Sequence, residues 1–491
     1  MNFPRRAILG GLLGAVAAPL WAQDAGIAPK VSLRPEPRPD LRAGPAETLI
    51  KAAKLGGEVC FALSRLGDEA TLAERGADLQ MPPASVAKAI TTLYALDKLG
   101  PDHRFETRIM RLGLVTNGTL NGDLLLVGGG DPNLDSDQLG DLVAALAATG
   151  LRQVTGRFVV VDGAVPFCER LVSDQPEQVG YNPALSGLTL NYNRVHYEWA
   201  KAGQTWTTTL DARGARFSPA VDVAEVKIAD RDQPIFTYAR AGGQDHWSVA
   251  KSALNEAGSR WLPVRDPAAY TAAAFVALAR AQGITLASPV FQHELPDAAQ
   301  TIVAHRGDPL TKVLKDMLRF STNLTAEVVG LTASGAGSLG GSGAAMTVWA
   351  QRELGVGLRL HDHSGLNSAN RVTARDVMRV MQRAKGQRFG GLLEGLMRDM
   401  GLLDANGAEV KGSPTRIHAK SGTMNFVSGL AGYVRDPQGK ALCFAIFSGD
   451  VPRREAIPMA QREAPEGGAS WVKRARGLQG KLITSWEKTY L

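Results

Sequence analysis

Four pairs of serine and lysine stand three residues apart in this chain: Ser85 and Lys88, Ser248 and Lys251, Ser470 and Lys473, and Ser485 and Lys488. Such a pair can carry out acyl transfer. Residues three apart on a helix share a face, so the amine can meet the hydroxyl and take its proton, which makes the serine a nucleophile. The pattern alone selects none of the four, because about one or two matches arise by chance in a chain of ordinary composition. Context does select. Ser85 opens a stretch, residues 84–99, that is apolar on nearly every face (Ala87, Ala89, Ile90, Leu93, Tyr94, Leu96, Leu99), which predicts a buried helix rather than a surface one. Pro82 and Pro83 stand just ahead of it, where proline suits a first turn. A serine at that position meets unpaired N–H groups and the positive end of the helix dipole, and both favour developing negative charge. Ser248 instead lies in a short polar segment, "GGQDHWSVAKSALNEAGSR", and the last two pairs lie in a terminal helix dotted with Trp and Lys.

Two further clusters follow Ser85 in order. Ser321-Thr322-Asn323 opens "STNLTAEVVG", a helical stretch, and Lys420-Ser421-Gly422-Thr423 begins a strand-like run in "HAKSGTMNFVSGLAGYV". S-x-N is a weak pattern, since Ser368-Ala369-Asn370 matches it too, whereas K-[ST]-G occurs once. Glycine in a strand lets the backbone come close to a ligand. If the clusters meet in one site, a second lysine near Lys88 would also matter electrostatically. A free lysine has a pKa near 10.4, so a neutral amine at pH 7 needs it lowered by about 3, worth roughly 4 kcal/mol. Burial supplies part of this, and a Lys420 ammonium at about 6 Å would add roughly 3 kcal/mol at an effective dielectric near 20.

In this order, S-x-x-K, S-x-N and K-[ST]-G form the signature of penicillin-binding proteins and serine β-lactamases. The resemblance goes further. "PPASVAKAITTLYALDKLGPDHRFETRI", "NGTLNGDLLLVGGGDPNL", "GLTLNYNRV", "STNLTAEVV" and "DHSGLNSANRVTARD" resemble the D-alanyl-D-alanine carboxypeptidase/endopeptidase family, the class C low-molecular-mass penicillin-binding proteins of peptidase family S13, from about residue 46 to 450. The resemblance implies a multidomain α/β fold. A penicillin-binding, serine β-lactamase-like domain (an antiparallel sheet with helices on both faces) would be split by two inserted strand-rich domains.

It also implies a serine peptidase acting on peptidoglycan peptide stems and cross-links through an acyl-enzyme on Ser85, with β-lactams as covalent inhibitors. Lys88 would be the base, Ser321 would relay a proton to the leaving amine, and Asn323 would hold the peptide backbone. The Lys420-Ser421-Gly422-Thr423 strand would bind substrate: Lys420 and the Thr423 hydroxyl would take the terminal carboxylate, while the N–H groups of Ser85 and Thr423 would form the oxyanion hole. Thr322 and Ser421 replace the family's usual Asp and Thr, and His363 stands where relatives have Gly. Asp362, Ser364 and Gly365 would shape a loop beside the site. Asp131 reads as a turn or capping residue, and Asp174 or Glu177 as a contact for an amine on the peptide stem. The rival readings are a β-lactamase-like hydrolase and a non-catalytic peptidoglycan-binding protein.

The elements that must position these groups follow from the patterning. Residues 1–22, with Arg5-Arg6 and an apolar run to about Trp21, read as a secretory signal of the twin-arginine kind, and residues 23–45 as a Pro-rich arm. This implies an exported, periplasmic protein. Residues 46–104 and 301–491 read as two parts of one helix-rich α/β domain around a strand-rich insertion at 105–300, with a second insertion nested near 185–262. "EVCFALS" and "ALCFAIF" read as buried strands, and "ASGAGSLGGSGAAMT" (333–347) as a Gly-Ser loop. Three cysteines are too few for a disulfide framework, and the eight histidines show no ligand spacing, so no metal or other cofactor is expected. The net charge of +7 is spread without basic blocks, which argues against nucleic acid and leaves a peripheral attraction to membrane surface open.

Overall fold

The computed structural model describes residues 44–404 and 408–491, so the leader and nearly all of the Pro-rich arm lie outside the described residues. The sheet that carries the site has six antiparallel strands in the order Arg398–Met400, Arg416–Met424, Val427–Arg435, Ala441–Gly449, Glu58–Arg65 and Thr71–Arg75. The two continuous apolar runs, "EVCFALSR" and "ALCFAIFSG", are central neighbours, with Cys60 opposite Phe447 and Ser64 opposite Cys443. A run without polar alternation must be covered on both faces, and it is. Side chains alternate across a strand. Cys60, Ala62, Cys443 and Ala445 therefore face the core under the Ala87–Leu99 helix, while Val59, Phe61, Leu63, Phe444 and Ile446 face the core under the terminal Gly468–Tyr490 helix.

Ala87–Leu99 is a central helix, with every residue from Ala87 to Leu96 buried. A single 3-10 turn, Ala84–Val86, leads into it, so regular helix starts just after Ser85. The helices Leu310–Phe320, Asn323–Ser334, Leu339–Leu354 and Ala374–Arg383 share its core. One expectation fails here. Residues 333–347 are not a loop: after Gly335 ends one helix in the left-handed region, Ser338 caps the next, accepting the Gly341 N–H at 3.2 Å. The small residues are a packing face. A Cβ at Gly343 would meet the backbone of His361 and Asp362 at 2.5 and 2.7 Å, so glycine lets this helix lie flush against the 361–365 loop.

Between Phe105 and Leu310 the chain builds three other sheets. One joins Pro289–Gln292, Phe158–Val161, Thr119–Gly128, Glu106–Thr116 and Gln300–Arg306, with the short Gln153–Val154 strand beside Thr119–Gly128. The other two have three strands each, from Arg194 to Pro263. Ser248 lies on one of their strands, Gln244–Ala250, which confirms that its S-x-x-K match has no helical setting. No described helix is long and apolar enough to cross a membrane.

The Gly468–Tyr490 helix clamps the sheet through Trp471, which is fully buried, stacks edge-on to Phe426 and donates its indole N–H to the Leu55 carbonyl. Trp471→Ala is expected to destabilise the protein by about 3–5 kcal/mol, measured as a lowered denaturation midpoint in guanidinium.

Candidate active site

The Ser85 hydroxyl sits one turn before Lys88, whose Nζ lies 2.9 Å from Ser85 Oγ. Lys88 is wholly buried. Its three N–H groups find three acceptors: Ser85 Oγ, Asn323 Oδ1 at 2.8 Å and the Ser364 carbonyl at 2.8 Å. An ammonium has three donors and no acceptor, so this set saturates it. Burial pulls the Lys88 pKa down to about 8, opposed by the Glu327 and Asp362 carboxylates. The expected repulsion between the two amines is present, and it is felt at Lys420. It is Lys420 that burial, then the Lys88 ammonium and Arg398, hold well below the usual lysine value.

Lys420 projects from the edge-side strand Arg416–Met424, is almost fully buried, and donates to Ser321 Oγ at 3.1 Å and to the Ser421 carbonyl. Ser321 lies between two helices in the left-handed region (φ +60°), an uncommon conformation for serine that turns the chain so that Asn323 starts the next helix. Asn323 spends both ends of its amide, Oδ1 on Lys88 and Nδ2 on the Tyr181 carbonyl at 3.0 Å. Gly422 is required by contact: a Cβ there would meet the Ser85 N at 2.7 Å and the Pro83 carbonyl at 2.9 Å. Only glycine lets this strand lie against the turn that carries Ser85. Thr423 faces the cleft, and the Ser421 side chain is exposed.

The structure therefore brings two hydrogen-bonded groups, Ser85 with Lys88 and Asn323, and Ser321 with Lys420, to the floor of one cleft of about 750 Å³. The 362–366 loop roofs Lys88. Asp362 accepts from the N–H groups of Gly365 and Asn367, and Glu327 from those of His363 and Ser364, which aims the Ser364 carbonyl at the lysine. His363 serves packing. It is fully buried, lies 2.6 Å from Ser342 Oγ and is stacked on Tyr94, and burial lowers its pKa to about 3, so the ring is neutral. Its ring fills the space over Gly330, where a Cβ would come within 2.1 Å.

Asp131 accepts the Asn133 N–H in a tight turn away from the cleft. Glu177 is engaged by Arg170 and Arg265, and Asp174 lies 3.9 Å from Arg462. Sequence reasoning missed the carbonyls of Ser364 and Tyr181, which have no side-chain signature, and Arg476, whose Nη2 donates to Thr423 Oγ1 at 3.0 Å. Among the described residues no group of three or more His, Cys, Asp or Glu is placed to hold a metal ion.

Comparison with known proteins places this geometry in a family. A model of the D-Ala-D-Ala carboxypeptidase 3 (S13) family matches residues 45–466. The chain is 30% identical over 452 residues to the D-alanyl-D-alanine carboxypeptidase of Actinomadura sp. (strain R39), covering 83% of this chain and 82% of that protein. It is 23% identical over 437 residues to the D-alanyl-D-alanine carboxypeptidase DacB of Haemophilus influenzae, covering 83% of this chain and 90% of that one. In fold it is similar to the crystal structure of penicillin binding protein 4 from Haemophilus influenzae, with a TM-score of 0.73 at 20% identity over 89% of this chain and 99% of that one. With the match running across most of its length, the chain belongs to the D-Ala-D-Ala carboxypeptidase 3 (S13) family.

Proposed function

We propose that the protein is a serine D-Ala-D-Ala carboxypeptidase and DD-endopeptidase that hydrolyses peptidoglycan stem peptides and cross-links outside the cytoplasm. The observation that carries this reading is the buried Lys88 amine 2.9 Å from the Ser85 hydroxyl, with a pKa lowered to about 8. At pH 7 about one Lys88 in ten is neutral, and deprotonating the rest costs only about 1.4 kcal/mol. An unperturbed lysine would be more than a hundredfold worse as a base.

Ser85 Oγ attacks the carbonyl carbon between two D-residues as its proton passes to neutral Lys88. Charge on the tetrahedral oxygen is met by the N–H groups of Ser85 and Thr423, which the Gly422 contact draws together. The C–N bond then breaks as the proton taken by Lys88 passes by way of Ser321, itself bonded to Lys420 at 3.1 Å, to the leaving amine, which leaves Lys88 neutral again. Water adds to the acyl-enzyme with its proton again taken by Lys88, which releases the shortened peptide and restores the serine hydroxyl. Asn323 holds the substrate backbone by exchanging the Tyr181 carbonyl for a substrate carbonyl. Lys420 and the Thr423 hydroxyl stand where the terminal carboxylate lies, and the Ser421 carbonyl fixes the Lys420 amine. β-Lactams would acylate Ser85 and stall at the second step. The Arg5-Arg6 leader fits a substrate outside the cytoplasm, with peripheral contact to the membrane from a basic surface.

Incubation with benzylpenicillin followed by mass spectrometry is expected to give a stable adduct on the peptide containing Ser85, absent in Ser85→Ala. Drug consumption without an adduct would instead indicate a β-lactamase, and neither consumption nor adduct a non-catalytic binding protein. The acylation rate should rise about tenfold from pH 6 to 7 and level off above about 8, because raising the pH removes the Lys88 proton and the neutral amine is the active form. Lys88→Ala should abolish this dependence together with nearly all acylation; full acylation by that variant would remove Lys88 from the role of base.

A further inference from the structure

The cation assigned to the carboxylate end of the cleft is already engaged within the chain. Lys420 stands there, but its N–H groups go to Ser321 Oγ and the Ser421 carbonyl, and it is almost fully buried. Burial and the Lys88 ammonium also hold its pKa well below the usual lysine value. An amine already committed to two oxygens of the chain is a poor counter-ion for a carboxylate brought out of water. A second positive group does face the same place. Arg476 lines the cleft and donates through one nitrogen to Thr423 Oγ1 at 3.0 Å. It is exposed, and no carboxylate among the described residues pairs with it. Arginine keeps its charge at any working pH and presents a planar fork that matches a carboxylate.

Its support is rigid. Arg476 sits on the Gly468–Tyr490 helix between Ala475 and Leu478, both buried against the sheet, and Gln479 of the same helix donates to Ser428 Oγ at 3.1 Å. Ser428 is the strand partner of Thr423. The guanidinium is therefore held over the same pair of strands that carries Thr423, with its remaining N–H groups directed at no carboxylate of the chain.

We propose that Arg476 is a specificity-determining residue that binds the α-carboxylate of the residue leaving with the amine, sharing it with the Thr423 hydroxyl. The substrate class is then set by that charge. A C-terminal D-alanine qualifies, and so does a cross-linking diamino acid whose carboxyl next to the scissile nitrogen is free. The same peptides with that carboxyl amidated are rejected. This inference rests on the DD-peptidase reading and narrows it.

The test compares the full chain with Arg476→Ala and Arg476→Lys on an N-acylated tripeptide ending in D-Ala-D-Ala and on its C-terminal carboxamide. Acylation by benzylpenicillin and by its methyl ester serves as a parallel pair. Arg476→Ala should lower kcat/KM for the free acid by about 10- to 100-fold, the range of a charge-assisted hydrogen bond, and leave the amide nearly unchanged. The acid-to-amide ratio therefore collapses, and Arg476→Lys restores part of it. Equal losses on acid and amide would make Arg476 a support for Thr423 and overturn the proposal. A Ser85 adduct with unchanged acid-to-amide and acid-to-ester ratios would overturn the Arg476 assignment alone. Absence of both peptide cleavage and adduct in the unaltered chain would overturn the peptidase reading with it.

Discussion

A lysine amine buried out of water and held by three oxygens is the constraint around which this structure is organised. Its acceptors come from places far apart in the chain: Ser85 three residues away, Asn323 235 away and Ser364 276 away. An unpaired buried cation is costly, so each acceptor must be delivered with little freedom. The central helix brings Ser85, the helix beginning at Asn323 brings the amide, and the Glu327 and Asp362 carboxylates fix the loop that brings the carbonyl. Those carboxylates serve twice. They hold the loop, and they keep the lysine pKa from falling further than about 8. Burial alone would leave the amine neutral but weakly basic; the opposing charges leave it basic enough to take a proton.

Tight backbone contacts surround the reacting groups. Ala84 and Ser321, each next to or within a motif, adopt left-handed φ values of +45° and +60°, a conformation that costs a residue with a Cβ on the order of 1 kcal/mol or more. A Cβ at Gly365 would lie 1.8 Å from the Ala84 carbonyl. The strained turn ahead of Ser85 is thus braced from the loop on one side and from the Gly422 strand on the other. Ser85 is held by contacts between backbones, which do not change rotamer.

Much of the fold could be read from the residues because its strongest elements are pattern-dominated. "EVCFALS" and "ALCFAIF" leave no polar face, so they had to be central strands, and the stretch from Ala87 to Leu96 had to be an interior helix. Ser85, Lys88, Ser321, Asn323 and Lys420 stood out because serine, lysine and asparagine side chains in ordered clusters carry a chemical meaning. The failures share a cause. The glycines and serines at 333–347 look like a linker until the surface they pack against is known. The Ser364 and Tyr181 carbonyls belong to every residue alike, so nothing in their side chains marks them. Arg476 is one arginine among many on a helix. His363 proved to be packed over Gly330 and within hydrogen-bond reach of Ser342, an arrangement visible only across the fold.

The sheet that carries the site joins the Glu58–Arg65 strand to Ala441–Gly449, residues nearly 400 positions apart along the chain. On a ribosome, the serine and its base emerge hundreds of residues before the strand bearing Lys420 and Thr423. Until that strand arrives, the central helix has only the Glu58–Arg65 and Thr71–Arg75 pair of the sheet to pack on, and Ser85 has no Gly422 strand against it. The site is therefore completed late in synthesis: a product that stops before residue 416 carries Ser85 and Lys88 but lacks Lys420, Gly422 and Thr423 and the strands that flank Glu58–Arg65 on one side.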